Sequence, residues 1–331
     1  MEQIGPNPKL ILRQYGAPMT LRDAETALGR LRRARPELFD APTPDGYLRG
    51  IDYYRAEDLL TVFRQASNLF FHAHGRFPDL ITPHATIDGF FAMKFFEPVR
   101  LPGPGDKLTV PDYLSPETLA AVGLPKRPWV SLDAELPPDD AVPAGRYLYK
   151  FASGNSMQVA LEWPLAPAER ARIEAEAARW SQAKFGLRWG EWWYSVAPPR
   201  YFLEEDLTQQ MTGRPEVRIF VRDGRVQLFW MTFETDSEPK RQRLFNADLE
   251  VLHAESKEGR IAVDDPPPEQ AALMLRAAAE IGRHFGVVRV DFMNVPGPHP
   301  IIGEVTLCHN NAIIPFQPRR FDQALYLKLF G

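Results

Sequence analysis

The sequence predicts an α+β protein in which a helical N-terminal segment precedes two sheet-bearing lobes. Three observations predict it. Leu59, Leu60, Phe63, Ala66, Leu69 and Phe70 recur at helical spacing within an N-terminal region that has few strand signals. From residue 127 onward, apolar runs of strand length alternate with turn residues. Near the C-terminus, apolar runs at 287–292 and 301–307 flank the Pro/Gly turn Val295-Pro296-Gly297-Pro298, the pattern of a hairpin with a longish loop.

Composition bounds the rest. A chain of 331 residues, 44% of them hydrophobic, can bury a sizeable core spread over two or three lobes. The net charge of -4 and a pI near 6.0 give no electrostatic reason to expect nucleic acid or an anionic membrane surface. Cys308 is the only cysteine, which excludes an internal disulfide and fits a reducing compartment. The N-terminus has no apolar signal core, and no stretch approaches the ~20 apolar residues of a membrane span. A soluble, cytoplasmic protein without membrane insertion is expected. Prolines cluster around 98–111, 136–143, 196–199 and 266–268 and mark breaks. The expected division is a helical region at 1–105, a first lobe at 106–200 and a second at 201–331.

Taken in order, Thr20 followed by Asp23 and Glu25 caps a helix running to about residue 34. A second helix fits 55–74, and a shorter one fits 86–97 with Phe90, Phe91, Phe95 and Phe96. Asp106-Lys107 begins another short helix after Pro104-Gly105. Strands fit 129–132 and 146–151. The second ends in Lys150-Phe151 and runs into the small-residue loop Ala152-Ser153-Gly154-Asn155-Ser156-Met157. Such a loop can aim backbone N–H groups at an anion that the lysine neutralises, although it carries one glycine where phosphate loops usually have two or three. Residues 166–184 form an amphipathic helix. Trp189, Trp192, Trp193 and Tyr194 suit either packing on a sheet or stacking on a ligand ring, and Trp163 reads as core. A strand at 201–207 leads to a meander whose strands, 216–221 and 226–230, meet at the turn signal Asp223-Gly224. Arg241 and Arg243 suit an acceptor's acidic group or a solvated loop equally. Residues 268–285 form the helix before the last hairpin.

That hairpin carries chemistry. Side chains alternate along a strand, so Arg289 and Asp291 share one face, as do Glu304 and Thr306 on the partner run. Two hard carboxylates beside a fixed cation suit a Mg-nucleotide site, because Mg²⁺ takes one or two carboxylates and completes its shell with phosphate oxygens and water. A solvated strand face with a surface ion pair fits the same pattern.

The run Arg289-Val290-Asp291-Phe292, a turn, then Gly303-Glu304-Val305-Thr306 resembles the end of an ATP-grasp enzyme. It is similar in particular to the TupA-like ATP-grasp family of polysaccharide and teichuronopeptide gene clusters. Four further stretches match in order. They are Gly75-Arg76-Phe77-Pro78-Asp79-Leu80 with Pro83 and Thr86, Asp106-Lys107, Leu148-Tyr149-Lys150-Phe151 with its loop, and Pro199-Arg200-Tyr201-Phe202-Leu203-Glu204-Glu205. The resemblance runs from about residue 72 to 327, and the collinear order carries it.

The resemblance implies an ATP-grasp fold, two α+β lobes clasping ATP, with the N-terminal helical segment added. It implies ATP and Mg²⁺ as cofactors. Lys107 and Lys150 would sit on the phosphates with the loop Ser153, Gly154 and Asn155, and Arg218 would lie beside the triphosphate. Glu204, Glu205 and Leu207 would hold the adenine largely by main-chain atoms. Asp291 and Glu304 would bind Mg²⁺, with Thr306 standing where most relatives have an Asn ligand. Arg289 would stabilise charge on the transferred group. The family is usually Gly-rich after this point. Here the chain has Cys308-His309-Asn310-Asn311-Ala312, so His309 and Asn311 become candidates for acceptor binding or proton removal, beside a purely structural role for a lone His. The implied activity is ligation of a carboxylate to an amine at the expense of ATP, on a small molecule, glycan or peptide. The alternatives are a phosphotransferase acting on a hydroxyl, and an inactive nucleotide-binding partner of a polysaccharide-assembly system.

Overall fold

The computed structural model describes residues 18–183, 185–211, 213–233, 240–254 and 261–331, and its α+β architecture follows the predicted order closely. Helix α1 (Leu21–Ala34) opens on a reciprocal cap: Asp23 N–H donates to Thr20 Oγ1 at 3.2 Å, and Thr20 N–H donates to Asp23 Oδ2 at 2.9 Å. After the short α2 (Glu37–Asp40), β1 (Tyr47–Leu48) and α3 (Gly50–Tyr53) comes α4 (Ala56–His74). It ends where Gly75 adopts φ 67°, a left-handed cap that a side chain would strain. Helix α5 (Thr86–Met93) stops short of the predicted 97, and β2 (Val99–Arg100) pairs with β1. Asp106 caps a short 3-10 helix, Lys107–Tyr113, ahead of α6 (Pro116–Ala121).

A small antiparallel sheet follows. It comprises β3 (Trp129–Ser131), β4 (Gly145–Phe151), β5 (Gln158–Trp163) and β6 (Tyr201–Glu205), in the order β3-β6-β4-β5. Helix α7 (Pro167–Gln182) covers it, and Tyr149, Trp163, Ile173, Trp180 and Leu203 make its core. Strand β5 was not expected. It is an edge strand whose pairing with β4 closes a hairpin around residues 152–157, and only that pairing defines it.

The large sheet runs β10-β9-β8-β7-β12-β13, with β11 beside β9. Its strands are β7 (Glu216–Arg222), β8 (Arg225–Phe233), β9 (Arg241–Phe245), β10 (Val251–Leu252), β11 (Ile261–Ala262), β12 (Val287–Met293) and β13 (Ile301–Thr306). Helix α8 (Ala271–Gly282) lies close over it. A Cβ on Gly282 would sit 2.2 Å from the Val221 side chain, so glycine permits the approach. The turn at Asp223-Gly224 takes positive φ at both residues, as a tight hairpin demands. Strand β9 contains Arg241 and Arg243, which the sequence had suggested could be loop. Arg241 stacks on Phe233 and Arg243 pairs with Asp264 at 2.8 Å. The earlier part of that stretch, 236–239, lies outside the described residues. The C-terminal helix α9 (Arg319–Phe330) packs on α5, and Asp322 accepts from the N–H and hydroxyl of Thr86.

Packing moves the expected lobe boundaries. Tyr201–Glu205 belongs to the small sheet, so a division at 200/201 would cut that sheet in two. The N-terminal helices and Trp192–Tyr194 share one continuous core with the large sheet, whereas the small sheet has a core of its own. Among the described residues no helix is long and apolar enough to cross a membrane.

Candidate functional site

Strand β12 lies between β7 and β13, and the register builds the site. Arg289 is opposite Thr306, Asp291 is opposite Glu304 on one side and Arg218 on the other. Facing this array, the small sheet presents Lys150 at the end of β4 and the loop that follows. Between them is a cleft of 240 Å³ lined by Lys107, Lys150, Gly154, Glu216, Asp291 and Glu304, with Asn155 and Phe151 also on its wall. Residues predicted from four separate stretches therefore meet at one place.

Each lysine is held by a defined network. Lys150 Nζ donates to Glu204 Oε1 at 2.5 Å, and Arg127 Nε donates to Glu204 Oε2 at 3.0 Å. Arg127 also donates to the Lys107 carbonyl at 3.1 Å. Lys107 Nζ donates to the Gly154 carbonyl, tying the loop to the short helix that carries it. Burial lowers the Lys107 pKa, with Glu304 opposing and Lys150 adding. Buried Asp106 pairs with Arg200, whose carbonyl accepts from Ala152 N–H at 2.8 Å, so Asp106 and Arg200 fix the start of the loop.

The carboxylates divide into two kinds. Asp291 takes a bidentate grip from Arg289, 2.7 Å from Nε and 2.5 Å from Nη2. Burial opposes charge on Arg289, yet Asp291, Glu304 and Glu216 raise its pKa. Glu304 is half-buried and makes no direct hydrogen bond or ion pair among the described residues. Glu216 is paired with Arg218 at 2.5 Å, and burial together with the Asp291 charge raises its pKa. Two like charges directly across a strand pair destabilise the sheet, so Glu304 opposite Asp291 is a cost that a bound cation would relieve.

Several predicted residues sit elsewhere. Ser153 lines a neighbouring cavity rather than the cleft. The Glu204 side chain is buried and serves Lys150 and Arg127, so it is more than a source of main-chain contacts. β6 is an interior strand, and Glu205 N–H is taken by the Lys126 carbonyl at 2.9 Å. Leu207 N–H has no protein acceptor among the described residues. Arg218 lies flat on Trp230, 5.1 Å from the ring centre, beside the cleft. Thr306 is buried and accepts from Arg289 at 3.3 Å, behind Asp291.

His309 lies in the packed interior, the structural one of the two roles the sequence left open for it. It is 1% exposed, boxed by Phe90, Phe220, Trp230 and Phe316. Arg289 Nη1 lies 2.7 Å from its Nδ1. A guanidinium only donates, so Nδ1 accepts; the ring proton on Nε2 then faces the Asn310 side-chain amide at 3.2 Å, whose oxygen is the atom able to accept it. In that tautomer Nδ1 is committed to Arg289, which gives His309 the work of orienting the guanidinium. Cys308 is buried, and burial pushes its thiol up to about 12, which makes it unreactive.

Lys94 and Glu191 were missed. Lys94 is buried, and its ammonium donates to both the carbonyl and the side-chain oxygen of Asn311. That contact holds Asn310, Asn311 and Ala312, all at positive φ. A lysine inside the run Phe90-Phe91-Ala92-Met93-Lys94-Phe95-Phe96 was the available signal. Burial pushes the Glu191 carboxyl up to about 7, with Lys94 opposing and Glu304 adding. The unfolded carboxyl keeps its ordinary value of 4.5, so between that pH and about 7 the unfolded chain ionises while the folded one does not. Stability should therefore fall as pH rises through this window, by up to roughly 3 kcal/mol. Glu191→Gln should flatten that dependence in urea unfolding measured at about pH 5 and pH 8; an unchanged slope would remove Glu191 as its source.

Comparison with known proteins gives remote likenesses. No protein-family description matches the sequence, and no curated protein sequence matches it. Among solved structures, the ATP-grasp ligase PsnB complexed with a minimal precursor is 18% identical, with 61% of this chain and 50% of that chain covered and a TM-score of 0.31. D-alanine–D-alanine ligase from Bacillus anthracis complexed with ATP is 14% identical over 62% of this chain and 55% of that one, TM-score 0.38. This chain thus spans about half the length of each. D-cycloserine synthetase DcsG is 16% identical over 92% of this chain and 95% of that one, TM-score 0.36. None of these singles out the TupA-like family, and the site is read from its own residues.

Proposed function

We propose that the chain is an ATP-grasp enzyme that uses Mg-ATP to join a carboxylate to an amine. The observation that carries this reading is the cleft itself, in which Lys150 from the small sheet and Lys107 from the short 3-10 helix face Asp291, Glu304 and Glu216 from the large sheet. The donor set fits Mg²⁺: hard carboxylate oxygens, one of them unpaired, beside cations suited to phosphate. Among the described residues no cluster of three such ligands forms, so Glu304 would hold the ion directly with Asp291 as the second carboxylate, and phosphate oxygens and water would complete its shell. When bound, Mg²⁺ neutralises phosphate charge in the transferred group.

Lys107 and Lys150 would bind phosphate oxygens, with the N–H groups of the loop at Gly154 and Asn155, which line the cleft, doing the same. Phosphoryl transfer needs positioning and charge neutralisation more than covalent help. A substrate carboxylate oxygen takes the γ-phosphoryl group and ADP leaves. The amine nitrogen then bonds to the acyl carbon, the C–O bond to phosphate breaks, inorganic phosphate departs, and the amine proton passes to water. Arg289, oriented by His309 and Asp291, supplies a fixed positive charge beside this centre. Leu207 N–H is the remaining main-chain donor for an adenine edge.

Mg-ATP should raise the melting temperature, by mass action on a ligand bound only to the folded state. ADP release should depend on both an acid and an amine, with a product lacking phosphate. Absence of any shift at millimolar Mg-ATP would overturn nucleotide binding. ADP release that needs a hydroxyl compound and no amine would favour the phosphotransferase. A glycan or peptide substrate in polysaccharide assembly remains a proposal from the motif resemblance.

A further inference from the structure

The loop beside the cleft also walls a second cavity, of 220 Å³. Its eleven described lining residues include five aromatics, Tyr53, Phe151, Trp180, Phe185 and Tyr194, and three serines. Phe185 and Tyr194 meet edge to face at 5.2 Å, and Tyr53 stacks on buried Trp192, so the walls are packed in place. Among the described residues no charged side chain lines the cavity. Ser153 lines it too, and its buried hydroxyl has no hydrogen-bond partner among the described residues. An unpaired buried hydroxyl is costly, and a ligand can supply its partner.

The cavity is coupled to the cleft by position. Phe151 lines both spaces, and Ser153 and Gly154 are consecutive in the loop between them. Tyr194, on the cavity wall, lies within electrostatic reach of Glu191, Glu304 and Arg289.

We propose that this cavity receives the aromatic side chain of one of the two substrates, an aromatic amino acid or a peptide that begins with one. The inference rests on the ligase reading for the word substrate, and on the cavity alone for the aromatic group. An enclosed apolar cavity of about 150 Å³ suffices to bind benzene. This one is larger and partly open, with Ser153, Ser181 and Ser195 on its wall, so a benzyl or phenol ring fits with its polar edge toward them. A charged side chain would be stripped of water with no counter-charge from the described lining residues. Aromatic walls favour a ring over an alkyl chain of equal area through edge and stacking contacts. The Ser153 hydroxyl sets one polar point, which a phenol or a main-chain amide can meet.

The test uses the full chain, with L-phenylalanine, L-tyrosine, L-alanine and L-aspartate as probes. Saturation-transfer NMR reads binding directly, and Mg-ATP thermal shift is measured in parallel. Phenylalanine and tyrosine should bind with strong transfer to ring protons, while alanine and aspartate should not. Ala197→Trp, from the wall, should weaken phenylalanine binding at least tenfold and leave the Mg-ATP shift intact. Ser181→Phe fills the same space from an exposed position at the end of α7 and serves if the first variant does not fold. Equal binding by the filled variants, or no aromatic binding by a wild-type protein that still responds to Mg-ATP, would overturn the cavity assignment. Loss of the Mg-ATP response with aromatic binding retained would overturn the ligase reading and leave the aromatic site standing.

Discussion

Glu304→Gln should reduce ADP release on the order of 10²–10³-fold, the scale of losing one electrostatic stabiliser of a transition state. Its melting temperature should stay level or rise slightly. The side chain keeps its size and loses a charge that makes no hydrogen bond or ion pair among the described side chains, opposite a second carboxylate at Asp291. A carboxylate gathered for a cation contributes function without contributing stability in the free protein. Turnover by coupled assay and unfolding by calorimetry on the same preparation separate the two. Unfolding of the variant, or turnover within about threefold of wild type, would remove Glu304 from the metal site.

Arg289→Leu should act the opposite way, on folding first. It leaves Asp291 buried without its bidentate partner and His309 Nδ1 without its donor. Breaking a buried pair by removing one partner costs about 3–5 kcal/mol, because the remaining charge stays desolvated. The double variant Arg289→Leu with Asp291→Leu should recover much of that stability while remaining inactive. Denaturant unfolding of wild type, both single variants and the double gives the coupling. A single variant within about 1 kcal/mol of wild type would show that Asp291 finds water or another cation, and the pair would no longer explain the local structure.

The contrast between these residues shows how far the sequence reached. Strand period placed Arg289, Asp291, Glu304 and Thr306 on shared faces, and the register then set Arg289 opposite Thr306 and Asp291 opposite Glu304. Cap chemistry at Thr20, the turn signal at Asp223-Gly224, and the helical patterns of α4 and α7 were equally local and equally legible. Those signals arise within a few residues, so the amino-acid order alone determines them.

What only the tertiary structure decided involves partners far apart in the chain. Tyr201–Glu205 joined the small sheet because β3 and β4 offered it two edges, which no local pattern announces. Glu204 became a buried bridge between Lys150 and Arg127, and Lys94 met Asn311 across 217 positions. His309 turned inward because an aromatic box and Arg289 were there to receive it. Ser153 faced the second cavity rather than the cleft, although its neighbour Gly154 lines the cleft. The order of residues determined the helices, the hairpins and which charges share a face. Long-range packing decided which charges pair, which carboxylate stays open to a cation and which side chains are buried, because the energy of a buried charge depends on neighbours that only the folded chain assembles.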